Sequence, residues 1–152
     1  MKKGQAAMEF LMTYGWALLV VLIAIAALAF FGILNPSRFL PNSCTLAPGF
    51  SCVDFKAASD DSISVILQNG LGENLGTVTL QLLSAQGGTC TSAAFAPNPL
   101  SVFVDGGQTT FTATCAGLDR GTKLKGDLII TYTTGGGITH SKVGQLVTGV
   151  EA

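Results

Sequence analysis

The pattern of hydrophobic and polar residues divides the chain into two parts. An uncharged apolar run extends from Phe10 to Leu34 and is followed by Asn35-Pro36. A helix of this length, at about 1.5 Å per residue, exceeds the roughly 30 Å hydrocarbon layer of a membrane. Because the residue before a proline disfavours the α conformation, the helix should end there. The run predicts a helix that spans a membrane or is buried on all sides in an assembly.

After residue 44 the pattern changes to the alternation typical of β-strands. Turns rich in glycine separate the alternating segments, and Asp105-Gly106-Gly107 and Gly135-Gly136-Gly137 are expected to close hairpins. Ser92-Ala93-Ala94 is the only stretch here that favours a short helical turn. The predicted fold class is α+β, with a long N-terminal hydrophobic helix followed by an all-β, Ig-like sandwich of about seven strands. The predicted strands lie near residues 50–55, 62–68, 76–84, 100–104, 108–115, 127–134 and 138–147.

Charges at the start of the chain indicate its orientation. Lys2 and Lys3 should remain on the cytoplasmic side, so that everything after the apolar run lies outside. Glu9 stands at the edge of the run, and a carboxylate at the centre of a membrane helix costs roughly 2.5–3.5 kcal/mol or more. Glu9 therefore needs the headgroup region or a partner.

Three interpretations of this start remain open from the residues alone. A cleaved secretory signal would use Ala24-Ile25-Ala26 as its A-x-A site, but the apolar run is long for such a signal and continues past that site. A plain N-terminal anchor would keep the whole helix. Processing between Gly4 and Gln5 would leave the helix on the mature chain.

The residues also carry a resemblance to a known family. Lys2-Lys3-Gly4-Gln5-Ala6-Ala7-Met8-Glu9-Phe10-Leu11 resembles the class III signal peptide of archaeal type IV pilins. In that family a prepilin peptidase cuts after the glycine, which here means between Gly4 and Gln5. Glu9 would become the fifth mature residue, where these pilins carry glutamate. Segments 62–70, 126–133 and 137–140 are more loosely similar to the outer domains of archaeal pilins.

The resemblance implies a structural subunit of a cell-surface filament, with adhesion as its expected role. Its expected partners are copies of itself, the prepilin peptidase, the pilus assembly machinery and, for the precursor, the cytoplasmic membrane with the N-terminus inside. The expected segments are a leader at 1–4, the helix at 5–34, a linker at 35–43 and an extracellular β domain at 44–152. An archaeal flagellin, a minor pilin and a membrane-anchored binding module that never polymerises are the alternatives.

Cleavage would give Glu9 a partner that the precursor lacks. It would create a free α-amine at Gln5, which is cationic at neutral pH because such amines have a pKa near 8. A carboxylate in an apolar filament core has to be paired or neutralised. The hypothesis is that Glu9 of one subunit pairs with the Gln5 amine of another and sets the axial register.

Four cysteines in a segment expected outside the cell favour disulfides over free thiols. Three pairings are possible. We favour Cys44–Cys52, which closes a short loop, and Cys90–Cys115, which links more distant segments. A zinc site is not expected, because the chain has no C-x-x-C spacing and a single histidine.

Nothing in the sequence predicts catalysis, a cofactor or a metal. His140 is expected at the surface or at a sheet edge, and Asp54 and Asp60-Asp61 are expected as solvated acids in turns. The net charge of −1 gives no reason to expect nucleic-acid binding. Only 11% of residues are charged, which fits a surface covered by neighbouring subunits or by glycans.

Overall fold

The computed structural model describes residues 2–31 and 40–152, and for Lys2 and Lys3 only the backbone. The chain divides into two compact units, residues 1–39 and 40–152, which are treated separately below. The predicted helix end at Asn35-Pro36 and most of the predicted linker lie outside the described residues.

The N-terminal unit contains one helix, α1, which runs from Lys2 to Phe30 over 29 residues. At 1.5 Å per residue it is about 43 Å long. It contains no proline and is rich in alanine and leucine, the residues that favour helices most. The part from Gly4 to Phe30 is long and apolar enough to cross a membrane, as a membrane anchor or a signal segment requires.

The second unit is a β domain of nine strands. Antiparallel pairing joins all neighbouring strands except β2 and β9, which run parallel at Ala57↔Val150 and Ala58↔Glu151. The strands are β1 (Ser43–Thr45), β2 (Phe50–Ala58), β3 (Ser62–Asn69), β4 (Leu75–Gln86), β5 (Ser92–Ala94), β6 (Leu100–Phe103), β7 (Gln108–Thr114), β8 (Lys123–Thr133) and β9 (Thr139–Glu151).

These strands form a sandwich that is nearly closed into a barrel. One layer has the order β5-β4-β8-β9, with β6 also pairing with β4 and β1 with β9. The other layer has the order β2-β3-β7. The short parallel pair between β2 and β9 joins the layers on one side, and a single bridge between Ala96 and Thr112 joins them on the other. The predicted fold class, a hydrophobic helix followed by an all-β sandwich, is confirmed.

The structure adds two strands to the seven expected. Both β1 and β5 have only three residues, which is too short for an alternating pattern to be recognised. The helical turn considered at Ser92-Ala93-Ala94 was wrong, because these residues form β5 and pair with β4 at Gln81–Leu83. Pairing with a neighbouring strand outweighs the helical preference of two alanines in so short a segment.

Alternation along the strands places the core between the two layers. In β3, Ile63, Val65 and Leu67 are fully buried, while the residues between them are half-exposed. In β4, Val78, Leu80 and Leu82 are buried, as the pattern predicted, and so is Leu75 at the start of the strand. The largest fully buried side chains are Phe95, Phe103, Phe111, Ile63, Leu67, Leu75, Leu80, Leu82, Leu124, Leu128, Ile130 and Leu146.

The two predicted hairpins have different outcomes. Gly135-Gly136-Gly137 connects β8 to β9, which pair from Thr133↔Thr139 onward, as expected. Asp105-Gly106-Gly107 does not close a hairpin, because β6 and β7 lie in different layers and do not pair. This turn crosses between the layers, and its backbone bonds to Asn69 at the end of β3: Asn69 N donates to the Gly107 carbonyl at 3.0 Å, and Gly106 N to the Asn69 carbonyl at 2.8 Å.

The last residues of the predicted linker are held on the β domain. The side-chain oxygen of Asn42 accepts hydrogen bonds from Gly149 N at 3.0 Å and from Lys123 Nζ at 2.8 Å. Lys123 Nζ also donates to the carbonyl of Leu40 at 2.7 Å. The β domain therefore includes the chain from Leu40, and its first strand begins at Ser43.

Candidate functional site

The surface of α1 is the most unusual feature of the described chain. Every described side chain from Gly4 to Phe31 is exposed, although nearly all of them are apolar. Soluble proteins rarely expose apolar patches larger than a few hundred Å², and larger ones mark contact with a membrane or another protein. The helix is apolar around its whole circumference, as expected for a helix surrounded by lipid or by other apolar helices.

The two residues of the predicted processing site lie in the first turn of α1. The first four backbone N–H groups of a helix have no acceptor within it, so this end opens most easily. A Cβ atom added to Gly4 would meet nothing within 4 Å, and the backbone of Gly4 does not need a positive φ. The fold therefore gives no reason for glycine at position 4, and Gln5 beside it is exposed.

Glu9 is the only acidic residue of α1. Its side chain is exposed, and none of the side chains that the structure describes forms an ion pair with it. One turn later, Thr13 Oγ1 donates to the Glu9 carbonyl oxygen at 2.9 Å, which satisfies the hydroxyl inside the helix. The carboxylate of Glu9 therefore has no ion-pair partner among the described side chains.

Aromatic residues are concentrated at the two ends of the apolar run. Phe10 and Tyr14 stack with ring centroids 4.4 Å apart, and Trp16 is 73% exposed. Phe30 and Phe31 meet edge to face at 5.8 Å. Such positions fit the aromatic belts at the two surfaces of a membrane, and they equally fit packing between helices.

Two disulfides join parts of the β domain, in the pairing favoured from the sequence. Cys44 and Cys52 have Cα atoms 6.0 Å apart and connect β1, which pairs with β9, to β2 in the other layer. Cys90 and Cys115, with Cα atoms 5.3 Å apart, connect the segment before β5 to the end of β7. Disulfides persist in oxidising environments, so the β domain is suited to the outside of the cell.

Asp60 and Asp61 lie in the turn between β2 and β3, as expected, whereas the expectation of a turn at Asp54 was wrong because Asp54 lies within β2. Asp60 Oδ1 accepts from Ser62 N at 3.1 Å and from the Ser62 hydroxyl, and this pairing lowers the pKa of Asp60 below its ordinary 3.8. Asp61 Oδ1 accepts from Leu118 N at 3.1 Å, and Asp54 Oδ1 from Phe55 N at 2.8 Å. The described residues contain no group of three or more metal-ligating side chains.

His140 and two surface depressions of the β domain were compared with the expectation of no catalytic site. His140 lies in β9, and its ring stacks on that of Tyr132 in β8 with ring centroids 5.4 Å apart. A depression of about 370 Å³ is lined by Gly49, Phe50, Ser51, Gln68 and Gly70, and one of about 140 Å³ by Gln81, Leu83, Ser92, Ala93 and Ala94. Both are open, and neither is lined by an ionisable side chain.

The sequence could not have indicated the role of Asn69. The pattern marked Asn69-Gly70 only as a turn, whereas the Asn69 side chain is completely buried and bonded to three backbone groups. Asn69 stabilises the neighbouring loops only because the fold brings their backbone groups around its side chain.

Comparison with protein-family models finds none that matches this chain, and comparison with curated proteins finds no match either.

Proposed function

We propose that this chain is the structural subunit of a type IV pilus-like surface filament, cut between Gly4 and Gln5 and polymerised through α1. The observation that carries the proposal is a helix of 29 residues whose described side chains are all exposed and nearly all apolar. Each aliphatic side chain gains about 1.5–3 kcal/mol when it leaves water. Lipid covers the helix in the precursor, and copies of the same helix cover it in the filament. The β domain forms the outer surface, where adhesion would take place.

Moving the helix from lipid into the filament requires more than hydrophobicity. Lipid tails are as apolar as leucine, so helices gain nothing from the hydrophobic effect by leaving them. The gain has to come from close packing and from polar pairs, and the assembly machinery has to drive the transfer. Gly15 supports close packing, because the space where its Cβ would lie is empty within 4 Å in the single chain and is open to a neighbouring helix.

The polar pair is Glu9 with the α-amine that cleavage creates at Gln5. Glu9 is exposed and lacks an ion pair with any described side chain. In an apolar filament core an uncompensated carboxylate would be strongly unfavourable, whereas a paired one is tolerated. A subunit placed one step out of register would leave both charges unpaired, so the pair fixes the axial position of each subunit.

The processing site is supported by the helix itself. Glycine in a helix costs about 1 kcal/mol relative to alanine, and no neighbouring atom in the described chain requires it at Gly4. A requirement from outside the chain, such as the narrow active site of a peptidase, accounts for it. Because Gly4 lies in the first turn of α1, the helix around the Gly4–Gln5 peptide bond unwinds easily.

Two matched variants test this proposal in cells. Glu9→Gln removes the charge from the helix, and Glu73→Gln removes the same charge from an exposed position of the β domain. We expect Glu9→Gln to abolish or derange filaments seen by electron microscopy and Glu73→Gln to leave them normal. In both strains the precursor should reach the membrane with both disulfides formed, as judged on non-reducing gels. Normal filaments in the Glu9→Gln strain would refute the assembly role.

A membrane-anchored binding module is the second candidate, because α1 also meets the length and composition of a plain anchor. Shearing separates the two. A filament subunit should be the main protein of the sheared material, whereas an anchored module should stay in the membrane fraction as a monomer. A flagellin would also be sheared off, but its filaments would rotate and drive swimming.

A further inference from the structure

The mature N-terminus would carry a reactive pair of groups within one residue. We propose that free Gln5 cyclises, its α-amine attacking its own side-chain amide carbon Cδ, and that pairing with Glu9 in the filament prevents this. A new bond forms between the α-nitrogen and Cδ, the bond between Cδ and Nε2 breaks, and a proton from the amine leaves with Nε2 as ammonia. The inference rests on the proposed function, because the amine exists only after cleavage at Gly4.

The described chain leaves Gln5 free to react. Its side chain is exposed, and none of the described side chains or backbone groups forms a hydrogen bond with that side chain. As the first residue of the cut helix, Gln5 would contribute a nitrogen that has no acceptor within the helix. The backbone therefore does not hold the amine away from Cδ. The ring needs no oxidant, reductant or second molecule.

Protonation decides between cyclisation and protection. Only the neutral amine can attack a carbonyl carbon, and an opposite charge nearby favours the protonated form. Glu9 of a neighbouring subunit supplies that charge in a dry environment, whereas a free subunit keeps its N-terminus near the membrane surface, where water competes. Assembled subunits should therefore keep an open Gln5, and waiting subunits should lose it.

Cyclisation would also remove a subunit from the assembling pool. The lactam has no positive charge, so a cyclised subunit would bring Glu9 of its neighbour into the apolar core without a counter-charge. Addition of that subunit would be unfavourable. The chemistry of a single residue thus limits how long a cut subunit remains competent to assemble.

Mass spectrometry of the N-terminal peptide, from sheared filaments and from the membrane fraction of the same culture, tests this inference. Protein synthesis is stopped and samples are taken over time in acid, with an isotope-labelled peptide of residues 5–14 added at lysis to report cyclisation during handling. We expect the open Gln5 form in filaments and a growing share of a form lighter by one ammonia in the membrane. Filaments that contain mainly the lighter form, or a membrane pool that stays open throughout, would overturn the inference.

Two variants separate this result from its premises. Gln5→Ser keeps an α-amine after cleavage but has no side-chain amide, so the lighter form should be absent and filaments should form. Glu9→Gln removes the protecting charge, so the lighter form should dominate all the cut material. If the N-terminal peptide starts at Met1 or near Ala27 instead of Gln5, the proposed processing itself is wrong, which is a different result from an open Gln5 in every fraction.

Discussion

Replacing Asn69, one of two buried polar residues among those that the structure describes, should destabilise the β domain strongly. Asn69 Nδ2 donates to the carbonyl oxygens of Glu73 at 2.8 Å and of Phe103 at 3.0 Å, and its Oδ1 accepts from Leu71 N at 3.1 Å. The side chain is 0% exposed. It therefore holds together the end of β3, the loop before β4 and the end of β6.

The expected magnitude follows from these three bonds. Asn69→Leu keeps the size of the side chain but leaves three backbone groups without their hydrogen-bond partner. The hydrogen bond to the Phe103 carbonyl is buried, and the other two are partly buried. A buried unsatisfied polar group costs about 1–3 kcal/mol. Allowing for water at the partly buried groups, we expect a loss of about 2–5 kcal/mol from a total that is typically about 5–15.

Asn69→Asp should be worse near neutral pH, because a carboxylate would face two carbonyl oxygens that can only accept. That environment raises the pKa of the new carboxyl in the folded state above its unfolded value. Its penalty is then absent below the unfolded pKa and grows as the pH rises through the window between the two values. Acidification from about pH 7 to about pH 4 should therefore bring Asn69→Asp closer to the original protein.

The assay is urea unfolding of the full chain in detergent, followed by near-ultraviolet circular dichroism. Gln68→Met is the matched control, because it removes an amide from the next residue, where Nε2 bonds to the Gly106 carbonyl at the exposed surface. We expect this control to change stability by less than about 1 kcal/mol. If Asn69→Leu were as stable as the control, or Asn69→Asp did not improve at low pH, the reasoning would be refuted.

Three further changes have defined outcomes. Replacing both Cys90 and Cys115 with alanine removes their disulfide and should lower the free energy of unfolding by about 3 kcal/mol or more on the chain-entropy estimate. The same urea assay measures this loss, and an unchanged urea midpoint would contradict the prediction. Gly144→Ala places a Cβ against the Thr45 carbonyl and should lower the free energy of unfolding by about 1–3 kcal/mol. Gly136→Ala places its Cβ in open space and should leave stability nearly unchanged. Equal losses of stability in the two variants would argue against the β1–β9 contact. Ser62→Ala should raise the pKa of Asp60 towards 3.8, as measured by a carbon-detected NMR titration. A depressed carboxyl pKa stabilises the folded state only at pH values above it. The difference in stability between Ser62→Ala and the original protein should therefore vanish as the pH falls below the pKa of Asp60.

The sequence predicted the fold class because its main signals are local. The apolar run is longer than a membrane is thick, and Ile63, Val65 and Leu67 stand at every second position of β3, so both were evident without knowledge of the fold. β1 and β5 were missed because three residues cannot display a period. The turn at Asp105-Gly106-Gly107 was assigned to a hairpin because its composition is the same whether it joins paired strands or crosses between layers.

The residues of the candidate site were named from the sequence, and their roles in processing and assembly stay predictions. Gly4, Gln5 and Glu9 were identified from a short motif, and the structure places them on one exposed helix. The hydrogen bonds from Lys123 and Gly149 to Asn42, in the predicted linker, were not evident because they depend on residues distant in the sequence.

The N-terminal peptide of the surface-exposed protein is the most direct test of the central claim. Surface material is sheared from cells, its main protein is isolated, and the first residue is read by mass spectrometry. We expect this chain to be the main protein and Gln5 to be its first residue, with all of α1 from that residue onward retained. A first residue near Ala27 would contradict this claim in favour of ordinary secretion, and an intact Met1 would contradict it in favour of a plain anchor.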